Sequence, residues 1–190
     1  NIKAFYNINE YNNISLSFFG GRDDLNIDTD APNNSTQSLF KYDWGNKAGS
    51  LKWTHIFAPN LYSNFWVNIS KFDSELNILD DLVKEKNNIN DLSFKGSIVY
   101  DISQKYQLKF GFEQKNIDGV FEQTFPDGGV DVPFERTQYT GFGALSWKPT
   151  NRWDIEAGLR YNKFISDKDF SDFAPRFSAK YKLDEHTNLR

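Results

Sequence analysis

Hydrophobic and polar residues alternate with a period of two along most of this chain, most cleanly between Leu92 and Ile102. Leu92, Phe94, Gly96, Ile98, Tyr100 and Ile102 share one face of an extended strand, while Ser93, Lys95, Ser97, Val99 and Asp101 share the other. After a short turn at Ser103, Gln104 and Lys105 the phase continues, with Tyr106, Leu108, Phe110 and Phe112 set against Gln107, Lys109, Gly111 and Glu113. Together these segments predict an antiparallel hairpin. Trp153, Ile155, Ala157, Leu159 and Tyr161 alternate with Asp154, Glu156, Gly158, Arg160 and Asn162, and Phe177, Ala179, Tyr181 and Leu183 alternate with charged or hydroxyl neighbours. Leu61, Ser63, Phe65, Val67 and Ile69 keep the same spacing, although Tyr62 and Trp66 blur the contrast between faces.

Reading strands and breakers together predicts an all-β chain of ten strands, at about 2–8, 14–27, 37–57, 61–79, 92–102, 106–118, 135–147, 152–165, 173–183 and from 188. Short turns fall at 9–13, 58–60, 103–105, 148–151 and 184–187. Long polar loops are expected near 28–36, 80–91, 119–134 and 166–172. Every second connection is therefore short, the asymmetry of an antiparallel up-and-down transmembrane β-barrel with tight turns on one side and longer loops on the other. Aromatic residues bracket the short turns on the apolar phase: Tyr100 and Tyr106 flank one, Trp147 and Trp153 another, and Trp53 and Phe57 approach a third. Rings in that position suit a headgroup girdle. Runs such as 37–57 are about twice the 9 to 11 residues needed to cross a bilayer, so these strands should rise beyond it.

Composition alone would suggest a soluble domain, with 38% hydrophobic residues and a mean hydropathy of −0.65. A barrel strand is apolar only on alternate residues, so that average does not exclude a membrane barrel. No window approaches the roughly 20 apolar residues of a membrane helix. The 17% aromatic content, with 18 Phe, exceeds the needs of a soluble core. Cysteine is absent, which removes thiol chemistry. The net charge of −4 comes from 26 acidic and 22 basic residues spread along the chain, without the basic stripe that nucleic acid requires. The chain opens at Asn1 without an initiator Met and stops at Arg190 in what reads as a rising strand, so it is expected to be part of a longer barrel domain.

Two segments carry a specific resemblance. The run Trp44-Gly45-Asn46 through Leu51, Trp53, His55 and Phe57 leads by a short turn into Leu61, Ser63 and Asn64. The run Pro175-Arg176-Phe177-Ser178 through Tyr181 and Leu183 precedes another turn. Both resemble barrel strands of Bacteroidetes-type TonB-dependent receptors. That resemblance implies a twenty-two-strand barrel around an N-terminal plug, in the bacterial outer membrane, importing a scarce nutrient such as a siderophore, vitamin, glycan or peptide with energy from TonB. It also implies partners in outer-membrane lipid, in the TonB complex through an N-terminal region outside this chain, and in a surface lipoprotein. The plug and the closing C-terminal strands would lie outside residues 1–190.

Candidate chemistry is sparse. His55 and His186 sit beside short turns with no second ligand at a metal spacing, which favours interface or solvent positions. Asp80 with Asp81, and Asp167 with Asp169 and Asp172, lack the spacing of a calcium loop and read as solvated charge. No phosphate loop, GxSxG or positioned nucleophile occurs, so neither catalysis nor a cofactor is expected. Asp154 and Glu156, two apart on one strand, repeat along a face as structural residues would, and Glu113 with Glu122 is likewise read as structural. Arg22, Lys41, Lys52, Lys95, Lys109 and Arg160 are expected to line the lumen, pairing with Glu113, Asp154 and Glu156. The segment 119–135 holds Phe121, Phe125 and Phe134 with Asp127 and Asp131. As an extracellular loop it is the candidate ligand contact, against the alternative that its rings simply pack the loop onto its neighbours. Two rivals remain open: a passive porin or other outer-membrane barrel, and a soluble antiparallel β protein binding sugar or lipid.

Overall fold

The computed structural model describes residues 1–30, 36–79, 81–166, 168–184 and 187–189. They form one antiparallel sheet in chain order, from β1 (Ile2–Asn9) and β2 (Asn12–Asp30) through β3 (Thr36–Ala58), β4 (Leu61–Ile78), β5 (Val83–Ser103) and β6 (Tyr106–Phe125) to β7 (Gly128–Trp147), β8 (Trp153–Ile165), β9 (Phe170–Lys182) and β10 (Asn188–Leu189). Each strand pairs with its sequence neighbours, the meander that short antiparallel connections produce. The sheet is open, since β1 does not pair with β10.

The register places the two alternating phases on continuous faces. The apolar phase of β5 lies beside Phe65, Val67 and Ile69 of β4 and beside Leu108, Phe110 and Phe112 of β6. It continues through Leu145 and Trp147 to Ile155 and Leu159, and on the other side through Leu51 and Trp53 to Ile14 and Leu16. This face is exposed: Leu92 is 50% accessible, Ile98 46%, Phe110 56% and Leu159 50%. The opposite face is covered. Of the eight buried residues other than glycine among those described, seven lie on it, and only Val99 is apolar. A single sheet can cover one of its own faces only by curling toward it, so the polar face is concave.

The resulting surface has the wrong character for water. The chain exposes 13595 Å², against about 9,300 Å² for a folded soluble monomer of 22.1 kDa. A soluble sandwich would put the apolar phase inside; here it is outside, and Val99 is the one buried large apolar side chain among the described residues.

Glycines let the sheet close up beneath aromatic rings. Gly96 lies opposite Phe112 and Gly111 opposite Phe142, and each ring folds over the glycine it faces. A methyl group on Gly111 would collide with the Phe142 ring and come within 2.6 Å of the Gly96 carbonyl oxygen.

The ten expected strands are present, but the long loops are not as expected. β5 begins at Val83, so the loop expected at 80–91 contracts to the turn between Ile78 and Val83. β6 and β7 run to Phe125 and from Gly128, so the loop expected at 119–134 becomes a hairpin joined by Pro126 and Asp127, with Gly128 at φ +153°. Pro-Asp-Gly is a turn signal, and it outweighs the polarity of the flanking residues. The connection after β8 shortens to 166–169, and most of the connection expected at 28–36 lies outside the described residues. Among the described residues the connections at the two ends are therefore similar in length, and what varies across the sheet is strand length. β2 to β7 run for 18 to 23 residues while β8 and β9 have 13.

Candidate functional site

The apolar phase does not run the full length of the tall strands. On β5 it occupies alternate positions across the eleven residues from Leu92 to Ile102, above which the same face carries Asn90, Asn88, Lys86 and Lys84. Ten residue steps at about 3.4 Å, tilted by about 40°, span about 25 Å of height, the thickness of the apolar band of a membrane barrel. At the short-turn end the band finishes in rings: Tyr106 stacks on Trp147 with centroids 6.3 Å apart, and Trp153 packs on Tyr181 at 4.8 Å. His55 belongs to this girdle. It is half-buried, meets Phe57 edge-on at 4.4 Å and hydrogen-bonds Asn12 Oδ1 at 2.8 Å, the same oxygen that accepts from Trp53 Nε1. His186 lies outside the described residues.

Beyond the other end of the band the two faces exchange character. The convex face there carries Arg22, Asp24, Asp43, Asp73, Glu75, Lys86, Glu122 and Asp131, interrupted by Val120 and Pro133. Arg22 contacts Asp43 at 2.5 Å and Asp73 at 3.1 Å. Arg22 and Lys41 therefore stand on the convex face above the band, not in the lumen as their alternation suggested, because the phase that carries lipid-type residues lower down carries charge here. The concave face turns apolar over the same height. One row runs from Trp44 through Ser74 and Asn87 to Phe121 and Val132, and its neighbour runs from Phe72 through Ile89 and Gly119 to Phe134.

This upper concave surface, the vestibule face, is the candidate site and carries Tyr42, Trp44, Phe72, Phe121, Val132 and Phe134. Tyr42 stacks on Trp44 at 4.8 Å. Asn87 is the polar centre, donating to Ser74 Oγ at 3.3 Å and to Glu85 Oε1 at 3.1 Å. Apolar and aromatic walls with a few fixed polar groups are the usual chemistry of a small-molecule site.

The predicted ligand residues divide between these surfaces. Phe121 and Phe134 lie on the vestibule face and Phe125 continues their phase at the hairpin end. Asp131 pairs across the hairpin with Glu122 on the convex face, and Asp127 forms the turn. Sequence reasoning missed Tyr42, Trp44, Phe72 and Asn87. Their signal was a phase slip: apolar residues of β3 fall on odd numbers at Leu51 and Trp53 but on even numbers at Phe40, Tyr42 and Trp44.

At band height the concave face is a polar ladder. Ser50, Asn68 and Ser93 are linked by hydrogen bonds of 2.6 and 3.2 Å, and Thr54 donates to Asn64 at 2.8 Å. Lys52 and Lys95 approach the Trp66 ring from either side at 5.4 and 5.7 Å. Arg160 donates to Asn162 at 2.8 Å and lies 3.8 Å from Glu113, the lumen pairing expected for it. Asp81 pairs with Lys84 at 2.9 Å, Asp80 and Asp167 are outside the described residues, and no group of three His, Asp or Glu suited to a metal occurs among the described residues.

A sequence profile described as "TonB dependent receptor-like, beta-barrel" matches residues 2–190. The chain belongs to this family. Among solved structures it is similar to the alcaligin outer membrane receptor FauA from Bordetella pertussis, with TM-score 0.73, 9% identity, and coverage of 96% of this chain and 32% of that one. It is also similar to the ferric yersiniabactin uptake receptor FyuA from Yersinia pestis, with TM-score 0.64, 10% identity, and coverage of 92% and 33%. The fold likeness extends to the translocator domain of the autotransporter NalP from Neisseria meningitidis, with TM-score 0.54, 8% identity, and coverage of 98% and 68%. Shape alone therefore does not separate receptor from other barrels; the sequence profile does. The chain spans about a third of the two receptors, and no curated protein matches it by sequence. TonB-dependent receptor barrels form a family of transporters and receptors that works with TonB and the outer membrane.

Proposed function

We propose that this chain is a stretch of wall in a Bacteroidetes-type TonB-dependent importer of the bacterial outer membrane. The complete barrel has twenty-two strands, and its plug and remaining strands lie outside residues 1–190. The convex apolar band meets lipid, the polar concave face lines the lumen, and the aromatic vestibule receives a scarce nutrient from outside the cell. Phe121, Phe125 and Phe134 contact the cargo, Asp127 and Asp131 serve the hairpin rim, and a surface lipoprotein caps the tall strands β2 to β7. TonB supplies the energy through the plug, and the protein performs no catalysis.

The observation that carries this reading is the reversal of face polarity one bilayer thickness from the short turns, which turns the Trp44, Phe72 and Phe121 surface inward above the lipid. The test replaces Phe121 and Phe134 with Ser in the complete protein. TonB-dependent uptake is then measured for a panel of a ferric siderophore, cobalamin, a glycan and a peptide. Uptake of one panel member should fall while the amount in the outer membrane is unchanged. Uptake that persists in cells lacking TonB would establish the passive porin instead.

A further inference from the structure

At the upper edge of the apolar band, Lys47 of β3 and Lys71 of β4 are direct cross-strand partners on the convex face. Both are exposed, and neither has an ion-pair partner among the described residues. Side chains directly opposite in an antiparallel pair have Cβ atoms about 5 Å apart, and like charges there are destabilising. The neighbouring groups offer little relief. Asp73, two residues from Lys71 on the same face, is held by Arg22 at 3.1 Å. Asp118, two strands beyond Lys71 in its row, accepts from Asn90 at 2.9 Å. Gly20, Gly45 and Gly49 surround Lys47 and supply no charge. Directly below the pair the face is apolar, with Phe18, Leu51, Val67 and Ile69, all at least 41% exposed.

We propose that Lys47 and Lys71 clamp the phosphate of a phosphorylated lipid in the outer leaflet, whose acyl chains lie along Phe18, Leu51, Val67 and Ile69. This inference rests on the membrane-wall reading. Two flexible ammonium groups at this spacing converge on one phosphate, and lysine stems reach from apolar surface to the headgroup layer. The same two groups that repel each other in the bare protein become complementary to the lipid, and the apolar surface below continues the contact into the hydrocarbon. An isolated inorganic phosphate would use the lysines alone and leave that surface out.

The test uses the complete protein in mild detergent, titrated with bisphosphorylated lipid A while thermal unfolding and native mass spectrometry report binding. Wild type and the K47R/K71R variant should bind about tenfold to thirtyfold more tightly than K47S/K71S. K84S/K86S removes equal charge farther from the band and should bind as wild type does. Dephosphorylated lipid A should not distinguish the variants. Without lipid, K71S should unfold at the same temperature as wild type or higher, because removing one charge relieves the repulsion. Equal lipid affinity in wild type and K47S/K71S overturns the proposal. So does equal stabilisation by millimolar inorganic phosphate, which would make the pair a free-anion site. Membrane flotation of wild type separates the two levels. A protein that does not float refutes the membrane wall and this clamp with it, whereas one that floats without lipid discrimination refutes the clamp alone.

Discussion

Ile98 and Asn88 lie on the same face of the same strand, ten residues apart, yet replacing each with Arg should have very different consequences. Ile98 is 46% exposed inside the apolar band, six residues from its upper limit at Leu92 and four from its lower limit at Ile102. At about 2.6 Å of height per tilted residue, Ile98 lies about 15 Å and 10 Å from the two edges. An arginine there faces hydrocarbon at a depth it cannot fully escape and should cost about 2 to 4 kcal/mol. Asn88 lies about 10 Å above the band, beside Asp73 and Val120, where the corresponding cost falls to about 0 to 1 kcal/mol. Reversible urea unfolding from phospholipid vesicles gives both values, with heat-modifiable gel migration reporting assembly. Equal costs at the two positions would refute the polarity reversal. A silent Ile98→Arg would mean that the convex face meets water, and the soluble reading would return.

Gly111→Ala should destabilise the barrel by about 1 to 3 kcal/mol, measured by the same unfolding assay, because the new methyl meets both the Phe142 ring and the Gly96 backbone. Asn162 is buried and links Thr140, Arg160 and Asp172, so Asn162→Leu should cost about 1 to 3 kcal/mol by removing those bonds; an unchanged urea midpoint would show that water replaces it. Asp43→Asn breaks an exposed pair with Arg22 and should cost less than about 1 kcal/mol, a difference that vanishes in high salt. Trp44→Ala should weaken cargo binding to the complete protein without lowering its outer-membrane level, as judged by ligand titration beside quantitative blotting.

The strand order and the two faces of the lower barrel were legible because one signal, period-two alternation, is reinforced by aromatics at each short turn. Tyr106, Trp147 and Trp153 mark the girdle in the sequence, and in the fold Tyr106 packs on Trp147 and Trp153 on Tyr181. What failed was the upper third. Segments such as Lys84 to Asp91 hold two consecutive asparagines and alternating charge, which read as loop by propensity. They are strands because β4 and β6 pair with them on both sides, and a ladder of backbone hydrogen bonds with neighbours outweighs weak local preference. The expected grouping of the candidate residues depended on the same segment. Treating 119–135 as a loop grouped Phe121 with Asp131, whereas a strand sends them to opposite faces.

The phase slip also explains why averages mislead for this chain. Below the boundary an even-numbered β5 residue meets the apolar side and an odd-numbered one the polar side; above it Ile89 and Val83 carry the apolar side on odd numbers. Summed over β4 or β6, each face is about half polar, and the mean hydropathy of the chain is −0.65. The reversal needs no bulge at the boundary, since β4, β5 and β6 keep unbroken register across it. The backbone therefore runs straight through while the side-chain chemistry of each face changes: apolar residues give way to charged ones on the convex face, and polar residues give way to aromatic ones on the concave face. A soluble sheet has one apolar face throughout, and a barrel confined to the bilayer has one as well. The wall proposed above, passing from membrane into an external chamber, calls for both assignments on the same strand.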